Sequence, residues 1–258
     1  MAYQTIKLEG SGPVRHLVLN RPQVHNAVNA QLVQDVHDCC LEIEADNAVR
    51  AVILRGEGKS FCSGADLKDF ATTASQRMHR SKSGARMFDV LTNLRPITIA
   101  AMHGYAIGGG CMLGSGCDFR VGAESLSLTV NEVSIGFNLT WHSLPSLVQL
   151  VGPVHAKEML ILGRTYNAQQ LLDYGFLTEL VPDGEMISRA EAIAAEVVKQ
   201  PPIPANLSKA SINAYTKMMD RAVHHMDHLA AAFMGSSENS KVAQQTYFGE
   251  GKREWIDE

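Results

Sequence analysis

Short apolar runs along the first half of the chain alternate with longer stretches of helical periodicity. Thr5–Leu8 and His16–Leu19 lie on either side of a glycine-rich turn, and this pattern predicts a hairpin. Apolar residues then recur every three or four positions from Val28 to Ile43, which predicts a helix, and Ala51–Leu54 predicts a buried strand. Because a helix separates these strands, we expect a crossover and a mostly parallel sheet with helices outside it.

The apolar pattern changes within Thr98–Asp118, where a predicted buried strand passes into three consecutive glycines, Gly108 to Gly110. The small and apolar residues that follow, Cys111–Cys117, favour a buried helix. Glycines between a strand and a helix let a ligand approach the backbone and leave N–H groups free at the helix N-terminus. This pattern suits a negatively charged oxygen, although a bare glycine turn has the same sequence.

The remaining pattern divides the chain into a core and a helical tail. Ala71–Ser83 is polar with poor periodicity and predicts a mobile surface loop, and Arg86–Leu94 predicts a helix after it. A proline cluster follows residue 200, and the rest of the chain has a helical pattern. We therefore predict a core over residues 1–200 and a helical C-terminal region over 201–258.

Composition limits the possible partners of this chain. Its 258 residues are 45% hydrophobic and 19% charged, as in ordinary globular proteins. The formal net charge of -4 and the absence of a long basic run argue against nucleic acid as a partner. No apolar stretch reaches membrane-spanning length, and the first residues lack the layout of a signal peptide. The five cysteines show no metal-ligand spacing, so we expect a cytoplasmic protein without a metal site.

The chain resembles the crotonase, or enoyl-CoA hydratase/isomerase, family. The resemblance lies in two glycine turns that each join a strand to a helix and in three further stretches. The matching stretches are Leu19–Ala27, Phe61–Leu67, Gly104–Gly110, Cys117–Asp118 and Gly163–Pro182. The resemblance implies an α/β fold, a spiral of ββα units with a helical C-terminal region, assembled as a homotrimer or homohexamer. It also implies an acyl-CoA thioester as the substrate, with no metal and no redox cofactor.

The resemblance also implies a set of site residues. The backbone N–H groups of Ala65 and Gly109 correspond to the donors of an oxyanion hole, and Glu132 corresponds to a catalytic carboxylate. Two such donors would stabilise the enolate that forms when a proton is removed next to a thioester. Substrate-binding positions implied near CoA are Gln23, Val24, Gly64, Asp66, Leu67, Lys68 and Gly108, with Phe248 and Lys252 reaching a neighbouring subunit's CoA. Met112, Trp141 and His142 are expected to line the acyl pocket.

One of the family's two catalytic carboxylates is missing from this chain. Aligned on the glycines, they fall at Met112 and Glu132, and a single base is enough to move a double bond. We therefore favour enoyl-CoA isomerisation with Glu132 as the base. A hydratase that uses Glu132 with a substitute group such as His142 is the alternative, because Leu139–Leu144 replaces the glycine-rich run of many hydratases.

Two further alternatives come from other classes of protein. A non-catalytic relative, binding acyl-CoA or associated with RNA, is opposed by the retained Glu132 and by the net charge of -4. A dinucleotide-binding oxidoreductase is opposed because no Gly-x-Gly-x-x-Gly follows an early strand.

Overall fold

The computed structural model describes residues 3–69, 73–247, 249, 252 and 254–256, without the side chain of Leu67. The strands are β1 (Ile6–Glu9), β2 (Val14–Leu19), β3 (Ala51–Gly56), β4 (Ile97–Met102), β5 (Tyr105–Ile107), β6 (Phe119–Ala123), β7 (Ser127–Thr129), β8 (Thr165–Asn167) and β9 (Glu179–Val181). The helices are α1 (Ala30–Ala45), α2 (Ala74–Thr92), α3 (Gly109–Ser115), α4 (Leu144–Leu162), α5 (Ala168–Asp173), α6 (Met186–Lys199), α7 (Pro202–Thr216), α8 (Arg221–His224), α9 (Asp227–Met234) and α10 (Glu238–Tyr247).

The described strands form two sheets. The larger has the order β1-β2-β3-β4-β6-β9, and the smaller has the order β5-β7-β8. β1 and β2 pair antiparallel as the predicted hairpin, and the other neighbours in the larger sheet are parallel. The mostly parallel sheet predicted from the alternation of strands and helices is therefore confirmed.

The central strands of the larger sheet are buried on both faces. In β3, Val52 and Leu54 pack into the main core with the buried side of α1, whereas Ala51 and Ile53 pack against α6 on the opposite face. A strand covered on both faces has a continuous apolar sequence, as seen here, instead of alternating apolar and polar residues. Helices therefore cover both faces of the sheet, as the crossover pattern predicts.

The predicted surface loop over Ala71–Ser83 is wrong where the structure describes it, because α2 begins at Ala74. Thr73 and Gln76 form a reciprocal capping box that starts this helix. Most side chains in the first two turns of α2 are exposed, and the buried ones concentrate from Ser81 onward. The apolar period that identifies a helix from sequence is therefore present only in its second half, where Arg86–Leu94 was predicted correctly.

The C-terminal residues fold as helices α7 to α10, as predicted for this part of the chain. Helix α9 packs against α2, so the C-terminal helices contact the core directly. The division of the chain at residue 200 stays a prediction. Among the described residues, no helix is long and apolar enough to span a membrane, and no cluster of metal-ligand side chains occurs.

Candidate active site

The two glycine turns lie side by side. The N–H of Cys62 donates to a carbonyl of β5 at 2.9 Å, and the carbonyl of Cys62 accepts from an N–H of β5 at 3.0 Å. The two segments stay close beyond this pairing, since a Cβ atom on Gly109 would lie only 3.9 Å from the Cα of Gly64. This pairing brings Ala65 and Gly109 to the same end of the sheet.

Two backbone N–H groups at this point are free to bind a ligand. The residues on either side of Ala65 are fixed, because Val28 donates to the carbonyl of Gly64 at 2.7 Å and accepts from Asp66 at 2.9 Å. Gly109 begins α3, where a helix has no internal acceptor for its first N–H groups. Within the described part of the chain, no acceptor takes the N–H of Ala65 or Gly109. Both N–H groups are therefore available to a ligand, and their role as a pair of donors to one oxygen stays a prediction.

A cavity of about 410 Å³ opens at these donors, between α1, α2, residues 131–141 and the C-terminal helices. The predicted site residues on its wall are Ala65, Asp66, Gly108, Gly109, Met112, Glu132 and Trp141. Their shared position supports one site that holds the donors, the carboxylate and an apolar wall together. Their individual roles stay predictions.

Glu132 is the buried carboxylate of this cavity, with 9% of its surface exposed. Its Oε2 atom has no hydrogen-bond partner among the described residues. Burial raises the pKa of Glu132 to about 7, because the charged form loses its hydration. A Cβ atom on Gly108 would lie 2.6 Å from Oε1 of Glu132, so glycine is required for the carboxyl group to lie here.

The other carboxylates on the cavity wall are neutralised by arginines. Asp66 binds Arg21 at 2.8 Å, and Asp69 binds Arg80 at 2.7 Å. Glu132 is therefore the carboxylate without an ion pair among the described lining residues. A group that is not held by a fixed cation is available to exchange a proton with a substrate.

Met112 and His142 occupy very different surroundings. Met112 in α3 is buried and lines the cavity. His142 is not among the lining residues; its Nδ1 lies 3.0 Å from both carboxylate oxygens of Asp89, and its ring stacks on His224. The hydrogen bond to Asp89 raises the pKa of His142. The structure therefore places His142 outside the cavity wall and gives no support to its predicted role as a second proton-transfer group.

Of the residues predicted to hold CoA, Asp66 and Gly108 line the cavity, whereas the others are not among its lining residues. Gln23, Lys68 and Lys252 are exposed, Val24 is partly buried, and Gly64 is buried. Phe248 lies outside the described residues, as does the side chain of Leu67. Since most of CoA is a long polar chain that lies outside an acyl pocket, these assignments stay predictions.

The sequence analysis did not single out Asn131 and Tyr247, which also line the cavity. The Oδ1 atom of Asn131 lies near the carboxyl group of Glu132, since a Cβ atom on Gly108 would be 3.3 Å from it. Nδ2 of Asn131 donates to the hydroxyl of Tyr247 at 3.1 Å. The position of Asn131 directly before Glu132 was the signal available for it, but Tyr247 is brought in from α10 by the tertiary fold.

Comparison with known proteins agrees with this arrangement. A family model described as enoyl-CoA hydratase/isomerase matches residues 9–258. A crotonyl-CoA hydratase of Syntrophomonas wolfei is 31% identical over 215 residues, which cover 83% of each chain.

Two solved structures show the same fold. An enoyl-CoA hydratase of Mycobacterium avium subsp. paratuberculosis has a TM-score of 0.88 at 19% identity, covering 99% of this chain and 100% of that one. A putative enoyl-CoA hydratase of Thermobifida fusca, solved in complex with CoA, has a TM-score of 0.77 at 25% identity over 88% and 92% of the chains. The fold is therefore that of the crotonase superfamily, as expected. Within it, the chain belongs to the enoyl-CoA hydratase/isomerase family, whose members act on CoA thioesters.

Proposed function

We propose that the protein moves the double bond of an enoyl-CoA through an enolate, with Glu132 as the single base. The observation that carries this proposal is the contrast between two positions on the cavity wall. Glu132 is buried and has no ion-pair partner among the described residues, whereas the position that aligns with the family's second carboxylate holds the apolar Met112.

The reaction needs one proton to be removed and returned. With the thioester oxygen bound by the N–H groups of Ala65 and Gly109, Glu132 takes a proton from C2 of a 3-enoyl-CoA. The electrons form a dienolate whose charge rests on the thioester oxygen. Glu132 then returns the proton to C4, which leaves the 2-enoyl-CoA. Each donor is expected to contribute on the order of 10²–10³ in rate.

The pKa of Glu132 suits this exchange. A group with a pKa of about 7 is populated both as a base and as an acid near neutral pH. It can therefore accept a proton from carbon and give it back without the help of a second group.

Hydration of a 2-enoyl-CoA is the second candidate function. The similar protein of Syntrophomonas wolfei is named a crotonyl-CoA hydratase. In addition, the amide oxygen of Asn131 and Oε1 of Glu132 both lie close to Gly108, 3.3 Å and 2.6 Å from the position of a Cβ atom there, so the amide oxygen offers a second acceptor for a water molecule. Glu132 would then take a proton from that water and deliver a proton to C2.

Product analysis in deuterated water distinguishes the two reactions. If the enzyme is an isomerase, 3-enoyl-CoA is converted to 2-enoyl-CoA, with deuterium at C4 only to the extent that Glu132 exchanges its proton with the solvent before returning it, and 2-enoyl-CoA gains no hydroxyl group. Vigorous formation of a 3-hydroxyacyl-CoA from 2-enoyl-CoA would overturn the isomerase proposal and establish the hydratase. In that case Asn131→Ala is the next variant to measure, with Asn138→Ala, a second asparagine of the cavity wall, as the control.

A further inference from the structure

Two consecutive bulky residues beside the cavity have left-handed backbone conformations. The φ angles of Trp141 and His142 are 62° and 61°. Bulky side chains seldom adopt this conformation, and such residues persist only where the surrounding structure fixes them. Contacts with other parts of the chain must therefore hold the turn at Trp141 and His142 in place.

Two carboxylates from different helices hold the turn. Oδ2 of Asp227, at the start of α9, accepts the backbone N–H of His142 at 2.7 Å. Asp89 of α2 accepts the imidazole Nδ1 of the same residue at 3.0 Å. One face of the imidazole is covered by the ring of His224, with ring centroids 4.0 Å apart and an interplanar angle of 3°. His142 is thus anchored through both its backbone and its ring.

The anchored turn directs the indole ring of Trp141 across the cavity. At one end the ring lies against Gly84 of α2, where a Cβ atom would overlap the indole nitrogen. At the other end, Cζ3 lies 3.8 Å from the position of a Cβ atom on Gly109. The ring therefore extends from α2 to one of the two donors for the thioester oxygen.

We propose that Trp141 is the wall that ends the acyl pocket and limits the substrate to short acyl groups. Asp89, Asp227 and Gly84 are positioning residues that keep the ring there. An acyl group bound by the two backbone donors begins beside Gly109, so a ring 3.8 Å from the Cβ position of this residue narrows the pocket near the start of the acyl chain. The inference rests on the proposed function only in taking Ala65 and Gly109 as the donors to the thioester oxygen.

Binding of saturated thioesters tests the wall without any chemistry. The dissociation constants of butyryl-CoA and octanoyl-CoA are measured by calorimetry for the parent and for Trp141→Ala. The parent should favour butyryl-CoA, and the variant should shift the ratio of the two constants toward octanoyl-CoA by roughly tenfold or more. Trp255→Phe alters the other of the two tryptophans and serves as the matched control. An unchanged ratio in Trp141→Ala would overturn the proposal.

The positioning residues are tested by the same ratio. Asp227→Ala and Gly84→Ala should both shift the preference toward octanoyl-CoA, since each releases or displaces the ring. Asp227→Asn keeps an oxygen that can accept the N–H of His142, so it should restore the ratio of the parent. If Asp227 and Gly84 had a purely structural role, their substitution would weaken the binding of both thioesters equally. That result would remove the two residues from the proposal.

A fluorescence measurement leaves Asp89, Asp227 and Gly84 unchanged, so it tests the position of Trp141 even if Asp227→Ala does not fold. In Trp255→Phe, the remaining tryptophan is Trp141. Butyryl-CoA should change its fluorescence, whereas CoA without an acyl group should change it much less. Equal changes with both ligands would show that the ring does not contact the acyl group. Failure of the isomerase proposal leaves all of these binding results unchanged, so the two proposals fail separately.

Discussion

At the scale of single residues, the proposed reaction depends on Glu132, a buried carboxyl group whose pKa is raised to about 7. If Glu132 acts as the base, kcat/KM should rise with pH and level off above about pH 8, because only the carboxylate accepts a proton and its pKa is about 7. Glu132→Gln should fold and bind acyl-CoA but lower kcat by roughly 10²–10⁴. Steady-state rates between pH 5.5 and 9 provide the check. A flat profile, or a variant within a few-fold of the parent, would rule out this role.

The same carboxyl group should destabilise the fold when it is ionised. Its pKa is raised from 4.5 to about 7, so the folded state binds this proton more tightly than the unfolded state. Stability is therefore greatest below about pH 4.5 with respect to this group, and it falls by up to about 3 kcal/mol as the pH rises to 7.

Glu132→Gln removes that pH dependence. The variant should exceed the parent in free energy of unfolding by about 1–3 kcal/mol at pH 8, and the difference should shrink at pH 5. Denaturant titrations at the two pH values measure it. Equal stabilities at pH 8 would mean that the carboxylate is solvated in the folded protein.

Met112 separates the two candidate reactions. Its thioether lies on the cavity wall, at the position that corresponds to the second carboxylate when the chain is aligned with the family on the glycines. Met112→Glu should therefore admit water and produce some hydration of 2-enoyl-CoA, at a cost in stability because the new acid is partly buried. Met112→Ala is the control and should leave isomerisation largely intact. The loss of conjugated-thioester absorbance follows the hydration, and its absence in Met112→Glu would show that a second acid alone does not create a hydratase.

At the scale of secondary-structure elements, we expect Gly109, the first residue of α3, to carry one donor of the proposed oxyanion hole. Proline is compatible with the start of a helix but has no N–H, so Gly109→Pro deletes the donor itself. Gly109→Ala retains the donor, and its Cβ atom would meet Val28 at 3.4 Å. We expect exchange of the C2 protons of butyryl-CoA in deuterated water to fall by on the order of 10²–10³ in the proline variant and much less in the alanine variant. Equal exchange in the two variants would contradict the assignment.

Some secondary-structure elements could be predicted from the sequence, and others could not. The two glycine turns were predictable because glycines that follow a buried apolar run are visible in the sequence itself, without any contact between distant residues. The first half of α2 was not, because its side chains are polar and mostly exposed, and its start depends on the capping box of Thr73 and Gln76. Local periodicity contains no signal for such a helix.

Contacts between residues far apart in the chain also limit what could be predicted from the sequence. His142 looked like a lining residue because it adjoins Trp141, yet Asp227, 85 positions further along the chain, binds its backbone. That hydrogen bond and the left-handed conformation turn the imidazole to Asp89 and the indole into the cavity. Similarly, the ionisation of Glu132 is governed by burial, which the chain acquires only on folding.

At the scale of the whole molecule, the C-terminal helices leave apolar side chains uncovered on a single chain. Ile203 is 71% exposed, Tyr215 76% and Phe233 78%. Apolar surface of this extent is typical of an interface. We propose that it joins copies of the chain, so light scattering at micromolar concentration should give a mass three or six times the 28.1 kDa of one chain.

A charge on this surface tests the assembly. Tyr215→Glu, on helix α7, should shift the mass toward that of the monomer, whereas Lys199→Glu, at the end of α6, places a similar charge on a polar position and should leave the mass unchanged. A monomeric parent would refute the proposed assembly.

The contact between Gly84 and Trp141 also restricts the order in which this pocket can change during evolution. A side chain at position 84 overlaps the indole, so it is harmful while Trp141 is present and tolerable once that ring has become small. The two positions are therefore epistatic: substitution at 141 opens the way for substitution at 84, and the reverse order passes through a misshapen pocket. A lineage that comes to accept longer acyl groups without passing through a displaced indole should accordingly lose the tryptophan before it loses the glycine.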